Sequence, residues 1–249
     1  MFSLSGRAAF VTGAGRGLGE AMARGLAEAG ARVVLADIDG AAVQSVADAL
    51  QAEGHECIAM PLDVRDEAVF AGCFDAAVQR FGAIDVMVNN AALTPSTSLW
   101  DIGGDEWDDV LAVNLRGSFF GCRIAGRHMR ERNSGRIINL SSMAGQQASA
   151  ATGAHYAASK AALLALTRSF AQELAPHGVT VNAIAPAAIR SPVLDAMAQS
   201  RQRAVQASIP LGRFGEAREV AAAVVYLASE AGAFTTGATL DLNGGRFMR

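Results

Sequence analysis

The chain of 249 residues contains only three cysteines, Cys57, Cys73 and Cys122, scattered and without a C-x-x-C pair. An odd, dispersed set rules against a disulfide framework or a cysteine zinc site and fits the reduced thiols of a cytoplasmic protein. The four histidines, His55, His128, His155 and His177, have no metal-ligand spacing, so no metal is expected. Charged residues make up 18% with a net charge of −3, and no long Lys/Arg run exists. A nucleic-acid partner therefore lacks its electrostatic footprint, and a polybasic membrane anchor is absent. Long apolar runs are missing too. The uncharged stretch from Ile137 to Ser159 carries Asn, Ser, Gln, Gly and His, too polar for a membrane span. The opening residues MFSLSGRAAFVTGAG show no basic segment before a long apolar one, so no secretory leader is expected. With 6 prolines, no Pro-rich linker or other boundary marks a second domain.

What is present is aliphatic. Hydrophobic residues reach 51% and aromatics only 6%, which excludes a disordered chain. Short continuous apolar runs recur at Ala8–Thr12, Arg32–Asp37, Cys57–Pro61, Ile84–Asn89, Arg136–Leu140, Val179–Ala185 and Ala238–Leu242. They hardly alternate, so they read as strands buried on both faces, the habit of parallel sheets. Helical spacing fills the intervals Leu18–Ala29, Ala41–Glu53, Glu67–Phe81, Trp107–Arg130, Tyr156–Ala175 and Glu216–Ser229. Strand and helix alternating throughout predict one doubly wound α/β domain over 1–249. Ala187–Phe214 matches neither pattern and reads as a lid-like loop over a substrate.

The 26 glycines are not spread evenly in purpose. Thr12-Gly13-Ala14-Gly15-Arg16-Gly17-Leu18-Gly19 joins the first strand to the first helix. Glycines there allow a tight turn and bring backbone close to a pyrophosphate, which the helix N-terminus attracts. Asp37 ends the second strand, 18 residues after Gly19. A carboxylate at that point accepts ribose hydroxyls and repels a 2′-phosphate, which favours NAD(H) over NADP(H). Arg16, inside the loop, could pair with a 2′-phosphate or be a surface charge, so NADP(H) stays open.

Tyr156 and Lys160 are four residues apart at a helix start and share one face. A cation beside a phenol lowers its pKa toward the range useful to a general acid/base. Ser142 stands 14 residues upstream, at a strand end where open α/β sheets bind ligands. It could hold a substrate oxygen or merely cap a turn; for Ser141 the turn reading is favoured. Asn114 lies in an apolar helical context and must find buried partners.

Together, T-G-x-x-x-G-x-G and Y-x-x-x-K, with Ser142 and Asn114, resemble the short-chain dehydrogenase/reductase family from about Leu4 to Gly245. The resemblance implies a Rossmann-type fold with a seven-stranded, mostly parallel sheet in the order 3-2-1-4-5-6-7 and helices on both faces. It implies reversible hydride transfer between a secondary alcohol or ketone and a nicotinamide cofactor. Tyr156 would be the acid/base, Ser142 the oxygen holder, and Lys160 the residue that lowers the Tyr156 pKa and binds ribose. Asn114 would kink its helix and hold a water linking Lys160 to solvent. Asp63 and Val64 would contact adenine. Asn90 and Ala91 belong to Asn89-Asn90-Ala91-Ala92, where Ala92 replaces a usual Gly. Pro186, Ile189 and Ser191 would face the nicotinamide, with Ala187 again replacing a usual Gly. The family is commonly tetrameric, so a homotetramer or homodimer is expected, with Trp107–Arg130, Tyr156–Ala175 and Leu240–Arg249 as candidate surfaces.

For the substrate, a small-molecule sugar, polyol, cyclic or aromatic alcohol or ketone is favoured. A 3-oxoacyl-[acyl-carrier-protein] reductase is the alternative, weakened because those tend to use NADPH, against Asp37. A non-catalytic dinucleotide sensor and a sugar-nucleotide epimerase are the competing classes. The intact Asn114, Ser142, Tyr156 and Lys160 argue against the first, and chain length and glycine spacing against the second. Leu93, Leu99, Trp100 and Met143 either border the substrate pocket or pack in core or interface. Trp107 reads as a helix-start anchor and His155 as structural. Arg130 and Arg132 fit either an acidic carrier protein or simple pairing with a helix C-terminus.

Overall fold

The computed structural model describes residues 1–148 and 152–248. Seven strands form one sheet: β1 (Ala8–Thr12), β2 (Arg32–Asp37), β3 (Cys57–Pro61), β4 (Val86–Asn89), β5 (Gly135–Leu140), β6 (Val179–Pro186) and β7 (Thr239–Leu242). Their order is β3-β2-β1-β4-β5-β6-β7, and every neighbouring pair is parallel. The order reverses between β1 and β4, the switch point at which open α/β sheets leave a crevice.

The two faces of the inner strands are divided between two cores. Ala9, Val11, Val33, Leu35, Val86, Val88, Ile138 and Leu140 face one core. There they meet α1 (Gly17–Glu28), α2 (Gly40–Ala52) and α9 (Ala217–Ala228) through Leu26, Leu50 and Val224. Their sequence neighbours Ala8, Phe10, Val34, Ala36, Met87 and Ile137 face the other core. That side is covered by α3 (Glu67–Phe81), α5 (Ser118–Arg132) and α6 (Ala154–Leu174), which contribute Phe70, Phe74, Met129 and Leu174. Burial on both sides is why the strands read as continuous apolar runs.

Three expectations are revised. The fourth strand begins at Val86, because the Asp85 side chain accepts the Ala8 amide at 2.9 Å and pairs with Arg132. The single helix expected over Trp107–Arg130 is α4 (Gly104–Leu111), a π-helical segment (Ala112–Gly117) and α5. The wider turn falls on Asn114, whose carbonyl accepts the Ser118 hydroxyl at 2.8 Å. Such π segments gather at functional sites. The presumed loop 187–214 contains α7 (Pro192–Asp195) and α8 (Gln199–Ala207), and its ends are pinned by a bridge between Ile189 and Gly215. Neither Ala92 nor Ala187 adopts a left-handed backbone; among the described residues only Asn133 does so without being glycine. The methyl groups that replace the usual glycines therefore cost nothing in backbone strain.

Candidate active site

The loop between β1 and α1 is built without room for side chains. A Cβ on Gly13 would come 2.8 Å from Ala91 Cα, and one on Gly19 would overlap the Gly13 carbonyl oxygen. The loop is braced from behind. Thr12 Oγ1 donates to the Val88 carbonyl at 3.3 Å and accepts the Asn90 and Ala91 amides at 3.0 and 3.2 Å. Asn90 Nδ2 donates to the Thr12 and Gly13 carbonyls at 2.9 and 3.0 Å. Thr12 is thus a support of the loop, with its hydroxyl already engaged. Arg16 precedes α1 without capping it by side chain, so the helix presents uncapped amides.

Gly13, Arg16, Leu18, Gly19, Asp37, Asp63, Val64, Asn90 and Ala91 all line one cavity of about 390 Å3. Its apolar walls add Leu93, already a pocket candidate by sequence, and Ile38, Leu62 and Val113, which no motif marks; the places of Ile38 and Leu62 after strand ends could have pointed to them. Asp37 Oδ2 accepts the Gly15 amide at 2.9 Å, and its Oδ1 accepts the Asp39 amide at 3.0 Å. The carboxylate is therefore fixed at the rim of the glycine loop. Asp63 is held by Arg65, which donates from Nε and Nη2 at 2.7–3.0 Å; this hydrogen bonding keeps the Asp63 carboxyl below its ordinary range. Arg65 also lines the cavity, a second cation that the sequence reading missed. The glycine cradle, the uncapped helix end and the fixed carboxylate together fit an adenine dinucleotide.

The catalytic candidates gather at the carboxyl edge of β5. Ser142 follows that strand in extended conformation; its Oγ accepts the Ala144 amide at 3.1 Å, and its hydroxyl is the neighbour that favours the charged form of Tyr156. The turn-capping reading of Ser142 is thus realised. Ser141 points the other way and donates to the Lys160 carbonyl at 2.8 Å. Lys160 is 3% exposed, and its Nζ donates to the Leu140 carbonyl at 2.6 Å and lies 5.6 Å from the Tyr156 ring centroid. Burial pulls the Lys160 ammonium down to about 8.

Tyr156 corrects an expectation. Burial raises its phenol above the ordinary value, and the Ser142 hydrogen bond is what opposes that rise. Desolvation outweighs the expected help from Lys160, whose ammonium is turned to a backbone carbonyl.

Asn114 is fully buried. Its Oδ1 accepts the Leu93 amide at 2.8 Å, and its Nδ2 donates to the Leu93 carbonyl at 2.9 Å and to Ser159 Oγ at 3.1 Å. It joins the segment after β4 to α6, one residue before Lys160. The residues expected at the nicotinamide are less gathered. Pro186 closes β6, Ile189 lines a separate cavity, and Ser191 Oγ accepts the Leu194 amide at 3.3 Å at the start of α7.

A switch-point crevice with a glycine cradle on one side and a Ser–Tyr–Lys cluster on the other defines an oxidoreductase of the dinucleotide type. A family model described as enoyl-(acyl carrier protein) reductase matches residues 13–246. A 3-oxoacyl-[acyl-carrier-protein] reductase of Vibrio cholerae is 38% identical over 246 residues, 99% of each chain. Among solved structures, a short-chain type dehydrogenase/reductase from Mycobacterium marinum superposes with a TM-score of 0.93 at 33% identity, over 100% of this chain and 98% of that one. A 3-oxoacyl-[acyl-carrier protein] reductase from Brucella melitensis with bound NAD gives 0.92 at 33% identity, over 100% and 94%. The chain belongs to the short-chain dehydrogenase/reductase family, and it is an enzyme acting on a carbonyl or CH–OH group.

Proposed function

We propose that the chain is an NAD(H)-dependent ketoreductase whose substrate is a 3-oxoacyl thioester, interconverted with the 3-hydroxyacyl form. The observation that carries this reading is the cluster of Ser142, Tyr156 and buried Lys160 at the carboxyl edge of β5. The relatives' 3-oxoacyl substrate supports the acyl part better than the sugar or polyol favoured by sequence alone. The apparent conflict between such a substrate and Asp37 also weakens, since a 3-oxoacyl reductase of the same fold holds NAD.

When bound, the nicotinamide supplies or accepts the hydride. The chain's own residues do the rest. Gly13, Gly17, Leu18 and Gly19 would receive the pyrophosphate on backbone amides, with Gly15 fixing Asp37 beside them; Asp37 would receive the ribose hydroxyls, and Val64 and Ala91 would flank the adenine side. Ser142 donates a hydrogen bond to the ketone oxygen, and Tyr156 delivers its proton to that oxygen. A phenol raised by burial is protonated at neutral pH, which suits reduction. Lys160 restores the charge balance and holds the second ribose, and Asn114 keeps α6 in register with the segment after β4.

Two experiments test this reading. Turnover of a short 3-oxoacyl thioester, an enoyl thioester, a cyclic ketone and a sugar alcohol is compared, with either cofactor. The 3-oxoacyl thioester with NADH should lead; preference for the enoyl compound or the polyol would overturn the assignment. Asp37→Ser should move the NADH/NADPH preference toward NADPH by tenfold or more, since about 1.4 kcal/mol of like-charge repulsion is removed. An unchanged ratio in binding isotherms would show that Asp37 does not read the ribose.

We further propose a homotetramer in the cytoplasm. The face of α4, the π segment, α5 and α6 carries Leu115, Phe119 and Leu166 around a shallow depression beside Arg116 and Asp109. Light scattering should give a four-chain mass, and Phe119→Asp should lower it; a monomeric wild type would refute the proposal.

A further inference from the structure

His155, read as structural from the sequence, is fully buried immediately before Tyr156. Its Nε2 stands 2.9 Å from Glu106 Oε1 on α4, and Thr97 Oγ1 donates to the same oxygen at 2.6 Å. The Trp107 ring stacks on the imidazole, with centroids 6.4 Å apart and planes 18° from parallel. Gly153 closes the other side: a Cβ there would lie 2.6 Å from His155 Nδ1, and its amide donates to the Pro95 carbonyl at 3.0 Å. The Nδ1 atom finds no hydrogen-bond partner among the described residues.

These contacts form a clip. Hydrogen bonds from Thr97 and His155 hold the Glu106 carboxyl below its ordinary range, so it is ionised and the proton sits on His155 Nε2. The segment Leu93–Thr97 is then tied at three points: to Asn114 at Leu93, to Gly153 at Pro95, and to the Glu106–His155 pair at Thr97. Leu93 lines the dinucleotide cavity. Leu99 and Trp100, 62% and 89% exposed, continue the same segment outward.

We infer that His155 is a positioning residue for hydride transfer: through Nε2–H to Glu106 it fixes both the first turn of α6, hence the Tyr156 hydroxyl, and the Leu93–Trp100 wall beside it. This rests on Tyr156 as the acid/base. A misplacement of about 1 Å in such a site costs on the order of 10²-fold in rate, so the clip has a large effect without touching substrate.

The test pairs two variants. His155→Phe keeps the ring and its stack on Trp107 but removes the N–H, whereas His155→Gln restores an N–H donor at about the same reach. His155→Phe should lower kcat at least tenfold with KM for NADH within twofold and the Tm nearly unchanged; His155→Gln should recover most of the loss. Amide exchange of residues 93–103 should quicken in His155→Phe and not in His155→Gln, a readout that needs no turnover. Equal losses in both variants, no loss in either, or unaltered exchange would overturn the proposal. If wild-type protein turns over none of the ketones while the exchange pattern holds, the ketoreductase reading fails and the clip stands.

Discussion

Tyr156→Phe retains NADH binding and loses turnover by roughly 10²–10⁴-fold, the scale of a lost general acid/base. The substitution removes one oxygen atom. The ring stays packed near Lys160 Nζ, and only the hydrogen bond with Ser142 disappears from the folded state. Losing that bond changes stability by about 1 kcal/mol, so the effect on rate is separable from any effect on folding. The pH dependence of the wild type follows from the raised phenol. Reduction needs the protonated hydroxyl, and its rate holds through neutral pH and falls as the pH passes the elevated pKa. Oxidation needs the phenolate and rises over the same interval. Stopped-assay rates in both directions, with the variant as baseline, check the pair of opposed limbs.

Lys160→Met should separate activity from stability. Among the described residues the buried wild-type ammonium has a single carbonyl partner, Leu140, and its pKa falls from 10.5 to about 8. The folded state therefore disfavours the charged form relative to the unfolded chain. Below about 8 both states carry the proton and the penalty is complete, on the order of 3 kcal/mol against stability. Between about 8 and 10.5 the unfolded chain holds the proton and the folded one does not, so wild-type stability rises with pH there. Methionine fills the same volume without charge. The variant should melt at higher temperature at pH 7, lack the alkaline rise, and lose activity by about 10²-fold or more. A variant less stable than wild type at pH 7 would mean that the ammonium has partners that offset its burial.

Most of this architecture was legible in the chain, for identifiable reasons. The inner parallel strands are covered on two sides, so Ala8–Thr12 and Arg32–Asp37 announce themselves as unbroken apolar runs with ends that need no correction. The π segment was hidden because the apolar spacing passes through Asn114 without a break; only the resemblance to a family marked that point. The helices within 187–214 were missed for the opposite reason. Gln199–Ala207 buries none of its residues and shows no apolar stripe to read.

The site divides in the same way. Glycines, Asp37 and the Tyr156–Lys160 pair carry local spacing, and all fall where expected. The direction of the Tyr156 shift did not follow from spacing, because it depends on how deeply α6 sets the ring. The clip of His155 and Glu106 joins residues 49 apart, and no short motif encodes it. Thr12 and Asn90 also brace the glycine loop, a role that no spacing announced.

The central claim is that this site moves hydride onto a ketone carbon while Tyr156 protonates its oxygen. It is tested most directly by incubating the enzyme with a 3-oxoacyl thioester and NADH deuterated at nicotinamide C4, then locating the label. The expected product is a 3-hydroxyacyl thioester with deuterium at C3, absent when Tyr156→Phe is used. Deuterium in a saturated acyl chain, or the same labelled alcohol formed at full rate by the phenylalanine variant, would contradict it.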